Sequence, residues 1–198
     1  MKLHAMASAV ALILVSTSAF AQDSKTPQGS STSKGEQASQ ANPLSTFNRF
    51  VYARLKTTVV ASAEKMPDEN YNFKPTEAVR SYGQIVGHLA DAQYTFCSVV
   101  LGENNPGLKI EQTKTAKSDL VAALKDAVAY CDKAYDGMTD ASGAQMVKLI
   151  GMDMPKLGVL HFNNMHAMEH YGNLVTYMRL KSIVPPTSEK PPAAQLKK

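Results

Sequence analysis

Three histidines of the chain have the spacing of metal ligands. His166 and His170 are four residues apart, so in a helix they lie one turn apart on the same face. Two such imidazoles can converge on one divalent ion, and zinc and nickel accept nitrogen ligands readily. His88 belongs to an earlier apolar helical pattern, beside Ile85 and Ala92, where a histidine needs a polar partner. A metal site formed by His88, His166 and His170 would supply that partner, although a hydrogen-bonded core position for His88 fits the same pattern.

A second motif overlaps the histidine pair. Residues 166–170 match the H-x-x-E-H pattern of inverted zinc peptidases, in which Glu169 would be the base. Those enzymes are much larger and take a further acidic ligand from far downstream. In this chain the only acid after His170 is Glu189, so the pattern does not favour a peptidase. The helical angle of His161 places it off the face of the pair, which predicts an ordinary boundary residue.

Acidic and amide side chains flank the three histidines. A ligand imidazole usually donates its second nitrogen to a carboxylate or carbonyl. Asp91, three residues after His88, and Glu169, next to His170, are the candidates for this role, although Glu169 fits a solvated surface charge better. Three further polar residues follow the His166 and His170 face and could line a pocket or simply mark the boundary of the core: Asn163, Asn173 and Tyr177.

Four segments with helical periodicity must position these residues. Their apolar residues recur at steps of three and four, and no segment alternates with period two for long. The sequence therefore predicts an all-α four-helix bundle. The predicted helices run from Leu44 to Met66, from a Ser81–Gln84 capping box to Gly102, from about residues 115–118 to Gly137, and from an N-cap at 153–155 with proline just inside the helix to about Lys181.

The link between the second and third helices is long. About 14 residues follow Gly102, whereas antiparallel neighbours usually need about two to eight. Extended, such a link reaches roughly 45 Å, more than the 30 Å or so of a 20-residue helix, so the two helices can run parallel. Cys97 and Cys131 would then lie at similar heights. The sequence leaves two alternatives for them, a disulfide formed in an oxidising compartment or two buried free thiols.

Composition and charge exclude several classes of protein. The chain has 198 residues, of which 44% are hydrophobic, which suits one folded domain rather than a disordered chain. Two cysteines are too few for a disulfide scaffold or a four-cysteine zinc module. Residues 44–183 hold 15 basic and 14 acidic residues, so they lack the charge of a nucleic-acid-binding surface. No apolar run reaches the ~20 residues of a membrane-spanning helix.

The two ends of the chain differ in composition from the middle. Residues 1–21 have the pattern of a signal peptide, with Lys2, an apolar run at 9–15 and small residues at 19–21 before Gln22. The mature protein is therefore expected to be periplasmic or secreted, with no membrane span after cleavage. Residues 22–43 are predicted to be a flexible leader, 44–183 the folded bundle, and 184–198 an extended Pro-rich tail.

Four stretches together resemble the DinB/YfiT family. They are Val86-Gly87-His88-Leu89-Ala90-Asp91-Ala92, the His166 and His170 pair followed by Tyr171-Gly172-Asn173-Leu174, the ending at residues 177–186 (YMRLKSIVPP), and the upstream stretch at 66–75 (MPDENYNFKP). The resemblance covers essentially all of residues 44–186. Each motif is modest alone, but their order and spacing together are specific.

The resemblance implies a bundle whose middle two helices are parallel and a divalent metal, zinc or nickel, held by three histidines. By position these are His88, His166 and His170.

Characterised relatives include metal-dependent S-transferases that use low-molecular-weight thiols, and a thiol-dependent isomerase. The expectation is thus an exported metal-dependent thiol transferase or hydrolase acting on a small molecule, with no nucleic-acid partner. The alternative is a non-catalytic metal-binding or ligand-binding envelope module. Relatives are often dimeric, so a homodimer is compatible with the resemblance.

Overall fold

Four long helices dominate the part of the chain that the computed structural model describes, residues 41–189. They are α1 (Pro43–Lys65), α2 (Tyr82–Leu101), α4 (Lys117–Asp136) and α6 (Lys156–Leu180). Between them lie two single-turn helices, α3 (Ile110–Thr113) and α5 (Asp140–Gly143), and a hairpin of β1 (Met146–Leu149) and β2 (Met152–Pro155). The predicted all-α four-helix bundle is confirmed, with this hairpin as an addition.

The ends of α1 and α2 follow from their sequences. Pro43 is the first residue of α1, a position where its missing N–H is not needed. At the start of α2, the hydroxyl of Ser81 accepts from the backbone N–H of Gln84, and the Gln84 side chain accepts from the backbone N–H of Ser81. Gly102 ends α2 in the left-handed conformation, with φ of 73°. The capping box and the glycine stop predicted for α2 are confirmed.

Helix α6 begins at Lys156, directly after the predicted residues 153–155, but the N-cap with proline just inside the helix was predicted wrongly. Residues 153–155 form most of β2, and Pro155 is the N-cap residue of α6 rather than its first helical residue. The two strands are antiparallel, with Met146 opposite Pro155. Each strand has only four residues, and Leu149 is the one buried position among them. The alternation of polar and apolar residues that identifies a strand is therefore too short to recognise in the sequence.

The middle helices α2 and α4 run parallel, as the long link predicted. Gly83 packs against Leu120 near the start of both helices. Cys97 and Cys131, near their ends, form a disulfide with Cα atoms 5.3 Å apart, a separation typical of this bond. Of the two alternatives that the sequence left open, the structure therefore has the disulfide.

Helix α6 runs antiparallel to α2. The rings of Phe96 and Phe162 lie 5.5 Å apart towards one end, and the rings of His88 and His170 lie 4.7 Å apart towards the other. Large apolar side chains fill the interior on the histidine side of the bundle, among them Leu89, Leu124, Leu174 and Met178. The histidines thus lie at the edge of this core, between two helices whose positions it fixes.

Only part of the predicted ends lies within the described residues. The signal peptide at 1–21 and residues 22–40 of the leader fall outside them, as do residues 190–198 of the tail. The described start of the tail is not simply extended, because Pro186–Ser188 form a 3-10 turn and the hydroxyls of Thr187 and Tyr171 lie 2.7 Å apart. Among residues 41–189, the helices are too short or too polar to cross a membrane.

Candidate metal centre

The three predicted histidines meet between α2 and α6. The Nε2 atom of His166 lies 3.1 Å from Nε2 of His88 and 3.2 Å from Nε2 of His170. One nitrogen from each ring belongs to a group whose atoms all lie within 4.8 Å of one another. Among the described residues, His161 takes no part in this cluster and is exposed at the surface of α6, further out than the boundary position expected for it.

The protonation of His88 follows from its partner. Its Nδ1 lies 2.9 Å from Oε2 of Glu111. An ionised carboxylate only accepts hydrogen bonds, so Nδ1 carries the proton and donates it. In the neutral ring, Nε2 then has a free lone pair, and this lone pair is directed at the other two histidines.

The other two rings favour the neutral form that binds metals. Burial lowers the pKa of His166 to about 4, and the neighbouring charges of His170, His88 and Arg80 act in the same direction. Burial also lowers the pKa of His170, with the charge of His88 as the next cause. Neutral imidazoles can offer lone pairs at neutral pH without first losing a proton.

The geometry fits one shared cation. Two imidazole nitrogens bound to a tetrahedral zinc ion at about 2.0–2.1 Å lie about 3.3 Å apart, close to the 3.1 and 3.2 Å between the Nε2 atoms of the structure. Nδ1 of His166 is buried and has no hydrogen-bond partner among the described residues, so this ring's polar contacts are concentrated at Nε2. The three histidines could therefore hold one metal ion.

The residue that orients His88 was not predicted. It is Glu111, on the single-turn helix α3 in the long link, rather than Asp91 or Glu169. Asp91 contributes indirectly, by holding the segment that carries Glu111. Its carboxylate accepts from the backbone N–H groups of Ile110 and Glu111 at 2.9 and 3.0 Å. Glu169 is exposed, as its surface interpretation expected. A carboxylate in a long link is visible in the sequence, but its pairing with His88 depends on how the link folds back.

The pocket residues divide into two groups. Asn173 contacts Nδ1 of His170 at 3.3 Å, and Tyr177 lies one turn further along α6. Both line a cleft of about 700 Å³ that reaches His170. Asn163 does not, and its predicted pocket role is not supported. Its amide pairs with that of Gln93 inside the bundle, at 3.1 and 3.2 Å.

Arg80 and Glu111 form the wall of the cleft beside the histidines. Nε of Arg80 donates to Oε1 of Glu111 at 2.7 Å, while Oε2 of the same carboxylate faces His88. The hydroxyl of Tyr177 donates to the backbone oxygen of Arg80 at 2.8 Å. A second cleft, of about 720 Å³, is also lined by Arg80 and Glu111. A bound ion would thus be open to solvent and small molecules next to His170.

Comparison with known proteins decides the family. The sequence model of the DinB superfamily matches residues 52–174, which include all three histidines and Glu111. The chain belongs to the DinB superfamily. No curated protein matches it.

Solved structures of DinB-like proteins share the fold. One, from Bacillus cereus ATCC 10987, is 16% identical, with a TM-score of 0.59 over 67% of this chain and 89% of the other. Another, YjoA from Bacillus subtilis, is 20% identical, also with a TM-score of 0.59, over 73% of this chain and 99% of the other. At these identities the likeness shows the DinB-like fold and leaves the chemistry to the residues themselves.

Proposed function

We propose that this DinB-superfamily chain is an exported metal-dependent enzyme, a thiol S-transferase or hydrolase that acts on small molecules through zinc or nickel at His88, His166 and His170. The observation that carries the proposal is the convergence of three Nε2 atoms, with contacts of 3.1 and 3.2 Å, in a cluster whose member His170 lines an open cleft. The resemblance to thiol-using DinB/YfiT proteins supports the reaction class.

The number of ligands favours catalysis over a purely structural site. Structural zinc sites are usually closed by four protein ligands, whereas catalytic sites keep a position for water or substrate. No Cys, Asp or Glu of the described residues joins the three histidines in the cluster, and the cleft opens beside His170. A divalent ion in such a site lowers the pKa of a bound water or thiol and supplies a nucleophile near neutral pH.

The side chains around the site have separate tasks in this proposal. Glu111 keeps the proton of His88 on Nδ1, so that Nε2 stays a ligand. Asp91 keeps α3, and with it Glu111, against α2. The amide nitrogen of Asn173 lies 3.3 Å from Nδ1 of His170. A half-turn of this amide places its oxygen there instead, where it can accept the proton that a ligand imidazole carries on Nδ1.

Export is supported by two features of the chain. The first is the signal-like pattern at residues 1–21. The second is the disulfide between Cys97 and Cys131, a bond that persists in oxidising compartments and is rare in the cytosol. Mass spectrometry of the protein recovered from outside the cytoplasm tests this part, with Gln22 as the expected first residue.

Elemental analysis of protein purified without a His tag tests the metal site. We expect about one equivalent of metal in the wild type and loss of most of it in His88→Ala, His166→Ala and His170→Ala. His161→Ala is the matched control, because His161 is on α6 but outside the cluster. Stoichiometric metal in all three variants would show that His88, His166 and His170 are not the metal ligands.

Turnover is tested separately with the metal-loaded protein. A panel of low-molecular-weight thiols paired with alkyl, acyl and epoxide electrophiles, and of hydrolysable esters, should yield a reaction that His166→Ala abolishes. Absence of turnover across the panel, with metal still bound, would favour the non-catalytic metal-binding module instead.

A further inference from the structure

The cleft beside His170 presents mainly hydrogen-bond donors. Arg80, Gln84 and Lys74 all line it. The side-chain oxygen of Gln84 is used by the backbone N–H of Ser81, which leaves its amide N–H groups for the cleft. Both oxygens of Glu111 are already engaged, one by Arg80 and one by His88. Glu77 also lines the cleft, where one of its oxygens is paired with Lys74. A ligand beside Arg80 and Gln84 therefore meets donors and needs acceptor atoms of its own.

Arg80 is the best positioned of these donors. Its Nε is held by Glu111 at 2.7 Å, and its backbone oxygen is held by Tyr177 at 2.8 Å. The two terminal nitrogens of the guanidinium make no hydrogen bond to residues 41–189, and the side chain is 45% exposed. The position of this residue is thus fixed while two of its nitrogens remain available.

Arg80 is linked to the histidines through Glu111. One oxygen of this carboxylate accepts from Nε of Arg80 and the other faces Nδ1 of His88, and Arg80 lines the same cleft as His170. Lys74 lines the same cleft and is paired with Glu77, as Arg80 is paired with Glu111, so the charges of these four side chains balance. A divalent ion at the histidines would make the cleft net positive.

We propose that Arg80 binds a carboxylate of the substrate, so that the molecule acted on at the histidine site is a small carboxylate-bearing anion. The planar guanidinium matches a carboxylate in shape and charge, and such charge-assisted hydrogen bonds are roughly twice as strong as neutral ones. The inference rests on the proposed function for the reactive end of the molecule, but the carboxylate site itself can be tested without metal.

The metal-free test uses NMR of arginine side chains in the mature protein. The chain has four arginines, Arg49, Arg54, Arg80 and Arg179, so the Nε–H signals can be assigned with single variants. On titration with propionate, the signal of Arg80 should shift most. Arg54 is the internal control, because it lies on α1 and does not line the cleft. A shift of Arg80 no larger than that of Arg54 would overturn the proposal.

The metal-loaded test compares two probes that differ in one charge, 3-mercaptopropionate and its methyl ester. With cobalt(II) in place of zinc, thiolate binding is read from the charge-transfer absorption. We expect the wild type and Arg54→Gln to bind the acid about tenfold more tightly than the ester, and Arg80→Gln to lose this preference. Arg80→Lys should keep part of it, because lysine retains the charge without the planar fork.

The outcomes separate this inference from the proposed function. The cobalt content of each variant is measured first, so that a lost metal is not mistaken for a lost carboxylate site. An unchanged acid-to-ester preference in metal-loaded Arg80→Gln would contradict the assignment of Arg80. If the wild type binds neither thiol although Arg80 still responds to propionate, the thiol chemistry fails and the carboxylate site stands.

Discussion

Gly87 and Glu111 are in backbone contact: a Cβ atom added at Gly87 would lie 2.7 Å from the Cα of Glu111. The absence of a side chain at this position of α2 lets α3 approach the helix directly. The approach brings the carboxylate of Glu111 to 2.9 Å from Nδ1 of His88, the residue after Gly87. A glycine in the middle of a helix is normally a disadvantage, but this one allows the contact that orients a candidate ligand.

Gly87→Ala should weaken both the fold and the metal site. The added methyl group meets backbone, which cannot rotate away, so α3 must shift and the free energy of unfolding should fall by about 1–3 kcal/mol. Zinc affinity, measured by competition with a chelator, should fall about tenfold because Glu111 moves with α3. Gly172→Ala is the control, since nothing lies within 4 Å of a Cβ at that position on α6. Equal behaviour of the two variants would disprove the role of the contact.

Glu111→Gln should lower zinc affinity about 10- to 100-fold with little change in stability. The amide keeps the size of the side chain but removes the charge that keeps the proton on Nδ1 of His88. Glu169→Gln, next to His170 but exposed, should leave zinc affinity within a factor of about two. If Glu169→Gln had the larger effect in the same chelator titration, the assignment of the orienting carboxylate would be wrong.

Loss of the disulfide should destabilise the protein without changing its metal content. Cys97 and Cys131 are 34 residues apart, and opening a loop of this size costs about 2–4 kcal/mol. Urea unfolding of the wild type with and without reductant, and of the Cys97→Ala/Cys131→Ala double variant, measures this. The double variant should be insensitive to reductant, and a wild type that is equally insensitive would show that the bond is absent in solution.

Protonation of Asp140 should lower the stability of the folded protein in acid. Its carboxylate accepts from the backbone N–H groups of Ser45 and Leu44 at the start of α1, at 2.7 and 3.2 Å. The bond from Ser45 is the main cause that lowers the pKa of Asp140 below its ordinary value of 3.8. The folded state therefore holds the proton of Asp140 less tightly than the unfolded state does. The ionised carboxylate makes its full contribution to stability at pH values above 3.8. This contribution is lost as the pH falls through the lower pKa of the folded state.

Asp140→Asn tests this contribution. The variant should have a lower urea midpoint than the wild type at pH 7, and the difference should shrink at pH 3. Asp153→Asn removes a carboxylate from the exposed hairpin, where the ion pair with Lys148 is worth little, and should change the midpoint much less. A difference between Asp140→Asn and wild type that grows in acid would contradict the expected direction of this pH dependence.

The sequence predicts what is periodic and misses what depends on how links fold. Helical spacing was sufficient to predict that His166 and His170 lie on one face. The length of the link allowed the parallel arrangement of α2 and α4 that the family resemblance implied. The hairpin was not predicted because its strands are four residues long and mostly exposed. The pairing of Glu111 with His88 was not predicted because the two residues are 23 positions apart in the chain and meet only through the contact of α3 with α2. Asn163 shares the polar pattern of α6 but pairs with Gln93 inside the bundle, away from the cleft.

The link from α2 to α4 has two roles: it connects two parallel helices, and it carries a residue of the candidate metal centre. A chain that must return along the bundle before starting its next helix needs a long crossover, and in this protein that crossover supplies Glu111. A redesigned bundle with short turns between antiparallel neighbours could keep all three imidazoles and would still lose this carboxylate. Deletions in the crossover should accordingly impair metal retention before they impair folding, so loop length is itself a determinant of the site.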